Sequence, residues 1–525
     1  MYTKRINCFS RYGMLSKSTV KFKPREDQEK VVDYVSKNIH NLKGIILYWS
    51  LGTGKTCTSI MILDTIFKNG WFKKAFILTP GSLRENYIYQ YCVVCGKSSN
   101  LEHLTFITYN TRKIMLTTIE PKFYEDSVIV IDEYHNIING YINQSTSFHE
   151  LFETLKAVKN AFFILMSGTP IISKKSLDFS IELLHVKLPE NKILEKKDNV
   201  YYIKNEYIQY IRPYISRNII DETSEAFPAL EIKLKQIILY TNMLNQVIES
   251  FKTENKQIAG LLSKEKKREL TENEKLSLFL YSNRLESLKM TLINYPYNYR
   301  LKDIPDKFKY TKETGTGSPN GWIPFTLFGD RLMDNLKSWS PKFYFFVNYI
   351  LDHPGKHAIY CRFKKKYGSQ FLSTILDKMQ IPHRVFSGDL NDKQRAEIVT
   401  QYNSERNVDG KIIKVLIVTN AAAEGQNFFS TRSFHLSTEI SNDFLVGQLI
   451  GRFMRFNSHI LIKNKKERKL RVFKYFGASE KSVNTDFEDY RKLDLPDYRL
   501  YYIAITKKNK ISGILEQLNK FSVIP

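Results

Sequence analysis

The stretch Gly44-Ile45-Ile46-Leu47-Tyr48-Trp49-Ser50-Leu51-Gly52-Thr53-Gly54-Lys55-Thr56-Cys57 decides how the rest of the chain is read. Its opening apolar run predicts a strand buried on both faces, and the amphipathic run Cys57–Phe67 predicts the helix that follows. Between them lies a glycine-containing turn ending in Lys-Thr. Glycines there let backbone amides wrap a phosphate, and the helix N-terminus adds its dipole. A lysine then reaches the terminal phosphates and a hydroxyl holds a divalent cation. Gly52, Thr53, Gly54, Lys55 and Thr56 therefore read as a phosphate-binding loop, with Thr56 on Mg2+. The loop departs from the full pattern at its first glycine, where Trp49 stands.

Downstream, Val128-Ile129-Val130-Ile131 is a second apolar strand, which delivers Asp132 and Glu133 side by side, followed by Tyr134 and His135. Phosphoryl transfer needs a carboxylate for the metal and a group to orient or deprotonate water; here Asp132 is expected to take Mg2+ and Glu133 the water. Taken alone, such a pair also suits a helix cap. From Gly44 to Gly168 further short apolar runs (AFILTP, LTFITY, AFFILMSG) alternate with helix-like segments, the pattern of a parallel sheet with crossover helices. A second alternation runs from Lys356 to Tyr475 through HAIYC, HRVFSG, KVLIVT, SFHLS and RVFKYF, so two α/β units are expected. Between them the chain turns charged and helix-favouring, as at Gly260–Leu292, and then Gly/Pro/Thr-rich at Thr314–Trp322. The expected division is an extension at 1–20, a first domain at 21–178, a mainly helical insertion and linker at 179–338, a second domain at 339–480 and a tail at 481–525 with a helix near Ile511–Phe521.

The bulk numbers agree with a multidomain soluble chain: 525 residues, 42% hydrophobic and 25% charged. Lysine and arginine total 79 against 54 acidic residues, a net charge of +25. That excess favours a polyanionic partner, nucleic acid first, although AT-rich codons also produce lysine. The cysteines are Cys8, Cys57, Cys92, Cys95 and Cys361, too few and scattered for a secreted disulfide framework. Cys92 and Cys95 form a lone CxxC without the further ligands of a structural zinc site, and read as ordinary helix-face thiols. A polar N-terminus without an apolar core, and apolar runs too short to span a bilayer, point to a cytoplasmic chain with no membrane partner.

The order Gly52-Thr53-Gly54-Lys55-Thr56, Asp132-Glu133-Tyr134-His135, Ser167-Gly168-Thr169-Pro170 and Gln448-Leu449-Ile450-Gly451-Arg452-Phe453-Met454-Arg455 resembles motifs I, II, III and VI of superfamily 2 helicases, DExH type. The resemblance covers roughly residues 22–480. It implies an α/β fold of two tandem RecA-like P-loop domains with a helical insertion between them, and ATP hydrolysis with Mg2+. It also implies that Gln28, in Lys23-Pro24-Arg25-Glu26-Asp27-Gln28, contacts adenine. His135, Ser167 and Thr169 would couple hydrolysis to domain closure. Gln448, Arg452 and Arg455 would serve catalysis, the arginines as fingers that neutralise charge gathering on the γ-phosphoryl oxygens.

For the polynucleotide, Thr79-Pro80-Gly81-Ser82 resembles motif Ia and Ile359-Tyr360-Cys361-Arg362 resembles motif IV. Thr419-Asn420-Ala421-Ala422-Ala423-Glu424-Gly425 resembles motif V, with Gly425 also on the nucleotide side. Each is equally the chemistry of a plain turn. Three details narrow the likeness: Asn136-Ile137 after the DEYH run, Ser340-Pro341-Lys342-Phe343 before the second domain, and Phe456-Asn457-Ser458-His459 after Arg455. These resemble the poxvirus nucleoside triphosphatase I and early transcription factor small subunit group, and the helicase of yeast cytoplasmic linear killer plasmids. The expected activity is thus an ATP-dependent translocase or helicase, DNA favoured over RNA, serving replication or transcription of a cytoplasmic element. The alternative is a DNA-dependent ATPase subunit of a virus-like transcription apparatus, with an RNA polymerase or replication proteins as partners. A nuclease-coupled motor is disfavoured by the little chain left after Tyr475.

Overall fold

A run such as Val128–Ile131 has no polar face to offer water, so it is stable only with helices on both sides and strands at both edges. The computed structural model of the chain places it so. It describes residues 22–521 except 51, 96–97, 110–119, 143–144, 170, 172, 190–192, 219–226, 269, 272–273, 275–276, 279–280, 283, 294–331, 365–366, 424–425 and 481–494. The expected extension at 1–20, the Thr314–Trp322 loop, Pro170, Cys8 and Gly425 lie outside the described residues.

The chain divides into two units, Met1–Asp221 with Thr506–Pro525, and Glu222–Ile505. In the first, β1 (Gly44–Trp49), β2 (Ala75–Thr79), β3 (Leu104–Thr108), β4 (Ser127–Asp132), β5 (Ala161–Ser167) and β8 (Ile215–Asn218) form one sheet in the order β3-β2-β4-β5-β1-β8. All its pairings are parallel. A short antiparallel hairpin, β6 (Leu194–Lys197) and β7 (Val200–Ile203), belongs to the same unit. The core on one face joins Val31 and Val35, Ile60, Leu63 and Ile66, and Tyr87 and Tyr91 to the strands.

In the second unit β9 (Ala229–Ile238), β10 (Lys356–Tyr360), β11 (His383–Phe386), β12 (Val415–Val418), β13 (Thr431–Leu436) and β14 (Lys469–Ala478) form a sheet ordered β11-β12-β10-β13-β14-β9, again parallel throughout. Separate cores cover its two faces, one around Phe343, Phe346 and Phe371, the other around Phe428, Phe434 and Phe453.

This corrects the expected insertion at 179–338. Its first part supplies β8 to the first sheet and β9 to the second, so helices such as Thr241–Glu265 and Leu285–Leu292 are additions to the second unit, not a third body. The expected tail is also structured at its end. The helix Ser512–Lys520 packs on β7 in the first unit, where the Gln517 amide bonds both N–H and C=O of Ile203 and Asn519 accepts from Arg217. Among the described residues no helix is long and apolar enough to cross a membrane.

Candidate nucleotide and nucleic-acid site

β1 ends at Trp49, and the chain turns through Gly52 (φ 84°) and Gly54 (φ 86°) into the helix Lys55–Lys68. Only glycine takes these dihedrals without cost, and a Cβ on Gly54 would stand 2.7 Å from Gln28 Nε2. Trp49 has a structural reason: it is fully buried, and its indole N–H donates to Ser216 Oγ on β8 at 2.9 Å, so the departure from the glycine pattern pins the loop's first arm to the sheet edge. Lys55 Nζ donates to the Trp49 carbonyl at 2.8 Å and Thr53 Oγ1 to the Ser50 carbonyl at 2.6 Å. Gln28, buried at the start of Glu26–Asn38, donates to the Gly54 carbonyl at 3.2 Å and to Thr58 Oγ1 at 3.3 Å, while its Oε1 accepts from the Arg25 amide. Sequence reasoning missed Arg25. Its guanidinium bonds the Thr53 carbonyl and Asp27, and Asp27 in turn accepts from Asn218, so the KPREDQ segment clamps the loop from outside.

β4 ends on Asp132, and Glu133 follows with φ 51°, a left-handed conformation that a non-glycine residue adopts at a cost of about 1–3 kcal/mol. The surroundings impose it. Tyr109, which sequence reasoning also missed, donates its hydroxyl to the carbonyls of Asp132 (2.9 Å) and Glu133 (3.1 Å). The available signal was its place directly beyond β3. Glu133 is buried; its Oε2 has no hydrogen-bond partner but lies 3.4 Å from His135 Nδ1. His135 Nδ1 is also 2.8 Å from Ser167 Oγ at the end of β5, and Ser167 Oγ accepts from the Thr169 amide at 2.9 Å. The three proposed coupling residues thus form one chain ending at the carboxylate. Burial holds His135 below its ordinary imidazole value against the opposing pull of Glu133, so its ring is neutral at pH 7.

A hydroxyl (Thr56) and a carboxylate (Asp132) are the hard oxygen donors Mg2+ takes when it keeps most of its water and the phosphates of its substrate. With a carboxylate oxygen of Glu133 left unsatisfied beside them, the residues present fit a nucleotide with its metal. Bound there, the ion would supply charge neutralisation on the phosphates, and Glu133 would be left to orient water.

The remaining assignments divide. Thr79 and Pro80 are buried, with the Thr79 hydroxyl turned onto the Pro80 carbonyl, whereas Gly81 is exposed. In the second unit Arg362 is half-buried; Thr419 is buried, its amide bonded to Phe386, and Asn420 is exposed and accepts from the Tyr360 hydroxyl. Gln448 and Arg452 lie one turn apart on Asp443–Phe453; Gln448 is half-buried and Arg452 buried. Arg455 follows that helix and donates to Asn427 at 2.8 Å. The Ser-His after it is local scaffolding: Ser458 Oγ accepts from the Arg455 amide, and His459 Nε2 meets the Thr431 carbonyl at 2.7 Å. The SPKF segment is also structural. Lys342 is fully buried against Asp497 at 2.7 Å, and Asp497 also accepts from the Gly477 amide.

The thiol reading needs correction. Cys95 is not a free helix-face thiol but is disulfide-bonded to Cys57, and among the described residues no cluster of metal-ligating side chains accompanies it.

A parallel sheet with a phosphate loop at one strand end and adjacent carboxylates at another defines a P-loop nucleoside triphosphate hydrolase. Residues 21–172 match the family described as Type III restriction enzyme, res subunit, and residues 342–457 match the Helicase conserved C-terminal domain. The two matches, in this order on one chain, make it a superfamily 2 helicase with two tandem RecA-like domains. A protein of Invertebrate iridescent virus 3 named as a helicase is 23% identical over 545 residues, 92% of this chain; the chain spans about half of that relative's length, 51%. Two proteins of Acanthamoeba polyphaga mimivirus named as ATP-dependent RNA helicases are 22% and 23% identical, over 86% and 82% of this chain and 88% and 78% of theirs. Among solved structures the chain is similar to the Sulfolobus solfataricus SWI2/SNF2 ATPase core in complex with dsDNA (16% identity, TM-score 0.34, 96% of this chain and 98% of that one). It is also similar to the Pyrococcus furiosus Hef helicase domain (14% identity, TM-score 0.45, 87% and 96%).

Proposed function

We propose that the chain is a motor that spends ATP to move along a polynucleotide, DNA in preference to RNA, in the replication or transcription of a cytoplasmic genetic element. The observation that carries the motor reading is the connected path from Glu133 through His135 and Ser167 to Thr169, which ties the water-orienting carboxylate to the end of the next strand. A buried histidine joining that carboxylate to a strand end is a contact through which hydrolysis would be coupled to movement. The arginines Arg452 and Arg455 take the finger role, and Asn420 and Arg362 contact the track. DNA is favoured by the likeness of three short segments to the poxvirus group, although two of those segments also have packing roles, and two viral relatives are named for RNA. The same likeness supports the second reading, a transcription subunit whose ATPase acts without processive unwinding.

The test is ATP turnover of the purified chain with no polynucleotide, single-stranded DNA, duplex DNA and single-stranded RNA, at low and moderate salt, with Lys55→Ala as blank. Stimulation by a DNA form above RNA is the expected result. RNA alone stimulating would overturn the preference, and no stimulation by any would move the reading to the partner-dependent subunit.

A further inference from the structure

β9 is ten residues long and ends the second sheet, with β14 on one side and, among the described residues, no strand on the other. Its pairing with β14 runs in unbroken register from Ala229 beside Lys469 to Ile238 beside Ala478. The amides of Ala229 and, just beyond β9, Leu239 both turn toward β14, donating to the Arg468 carbonyl at 3.2 Å and the Ala478 carbonyl at 2.8 Å. Backbone groups alternate sides along a strand, so Leu230, Ile232 and Leu234 direct theirs to the open edge. Such a row is a template for another strand. The side chains along it are not shielded either: Leu230 is 43% exposed and Ile232 55%.

The loop that feeds β14 extends this surface. Segment 456–468 is held from within: Ser458, His459 and Ile462 are buried, the Ser430 amide donates to the Ser458 carbonyl at 2.8 Å, and Arg468 donates to the carbonyls of Ile460 and Ile462, both at 2.9 Å. Yet Phe456 and Ile460 are each 50% exposed and Leu461 40%. Phe456 meets Phe227, two residues before β9, edge to face with ring centres 5.9 Å apart, which joins the loop to the strand as one patch. A loop pinned by its polar residues while its large apolar ones stay in water marks an interaction surface.

Charge and backbone together choose the occupant. Lys233 and Lys235 on β9 and Lys463, Lys465 and Lys466 in the loop are all exposed. The acids nearby are already engaged, Glu231 by Lys469 at 2.7 Å and Glu467 at 3.6 Å from Arg432. A net charge of +25 disfavours a second copy of this chain. Leu230, Ile232, Ile460 and Leu461 are aliphatic and offer no ring for a base to stack on, while the open amides and carbonyls match the repeat of an extended peptide. We propose that the free edge of β9 and the loop 456–468 dock an extended acidic segment of a partner protein. The segment adds as a further strand to the second sheet, with apolar side chains on the exposed patch and carboxylates among the lysines. This surface holds a partner whether or not the motor reading above stands.

The experiment titrates the full chain into a fluorescent peptide of alternating valine and glutamate, as long as β9, and reads anisotropy. The acidic peptide is expected to bind, and the same peptide with lysine for glutamate is not. N-methylation of its amides keeps charge and side chains but removes the donors, and should weaken binding at least about fivefold, the loss of even one hydrogen bond. Ile232→Pro acts from the other side: proline there removes an outward amide and leaves the bonds to β14 in place, so affinity should fall at least about fivefold with the melting temperature near the parent's. Ile460→Ser with Leu461→Ser tests the loop without touching the strand, and should weaken the peptide while basal ATP turnover is unchanged. No binding of the acidic peptide overturns the proposal, as does binding that neither N-methylation nor the loop variant weakens. If the loop variant loses affinity for single-stranded DNA and not for the peptide, the surface belongs to the polynucleotide and the proposal falls. It falls equally if sedimentation finds a dimer of the parent that Ile232→Pro dissociates.

Discussion

The two sheets are built alike and equipped differently. Each has six parallel strands, but the first carries a glycine turn after β1 and two adjacent acids after β4, while the second has an aromatic hydroxyl at the end of β10 holding Asn420. The fold provides strand ends at which loops converge; the chemistry lies in what those loops contain. Buried polar groups follow the same division. In the first unit they form the path from Glu133 to Thr169, at the site. In the second they lie largely inside the frame: Lys342 on Asp497, and the hydrogen-bonded run His357–Ser433–His435–Tyr475 crossing three strands. One unit gathers its buried polarity at the candidate site, the other inside its frame.

The sharpest way to break that contrast is at the first unit's site. Lys55→Ala should lower ATP turnover roughly 10²–10³-fold, the usual loss when one preorganised charge is taken from a transition state. Glu133→Gln should stall hydrolysis to a similar degree while a fluorescent ATP analogue still binds. Steady-state turnover and nucleotide titration check both. Normal turnover in either variant would remove the site assignment and with it the contrast.

Next in size is the second unit's internal ion pair. Lys342→Ala strands Asp497 in a fully buried position and should cost about 3–5 kcal/mol of stability. Lys342→Met with Asp497→Leu removes both charges and should recover most of that loss. Calorimetry of the two variants decides it; equal melting of Lys342→Ala and the parent would mean that the pair is not buried as described.

Acid provides a smaller lever. Burial holds His357 down to about 3 and His459 down to about 4, and His435 also well below its ordinary value, all in the second unit. These rings stay neutral in the folded state while the unfolded chain takes up protons below the ordinary imidazole value of about 6.5, so stability falls as pH falls through that value. Glu439, raised to about 7 by burial, works the other way, since its folded form takes up a proton before the unfolded one does. Each group contributes up to about 1 kcal/mol between pH 7 and 6, and three imidazoles outweigh one carboxyl. Denaturant midpoints should therefore drop over that interval; a flat profile would show the histidines to be solvated.

How much of this was legible depended on whether a segment advertised itself locally. The runs that became β1, β4 and β5 are apolar throughout and could be little else. The phosphate loop is legible because glycine, lysine and threonine at fixed spacing have few other uses. β9 was read past. Its sequence, Ala229-Leu230-Glu231-Ile232-Lys233-Leu234-Lys235, alternates in the manner of an edge strand, yet it leaves Leu230 and Ile232 exposed and lies among charged, helix-favouring stretches. β8 is four residues long, and its partner β1 is distant in sequence. Trp49 looked like a defect in the loop because its reason, Ser216, lies on that unseen strand. The Cys57–Cys95 bond escaped for the same cause, since spacing alone does not say which helices lie side by side.

The finest test concerns the second unit's exposed strand ends, where frame and function meet. Tyr360 donates its hydroxyl to Asn420 Oδ1, and Asn420 is exposed beyond β12. If that amide reads a phosphate or sugar, the tyrosine acts by positioning it, and Tyr360→Phe removes one hydrogen bond worth about 1 kcal/mol while keeping the ring that packs in the core. The expected result is a polynucleotide concentration for half-maximal stimulation raised about fivefold, with the basal ATPase rate and melting temperature nearly unchanged. A purely structural role would instead lower the melting temperature and leave the half-maximal concentration where it was. Asn420→Ala should reproduce the shift, and adding Tyr360→Phe to it should contribute nothing more, because the hydroxyl has then lost the group through which it acts.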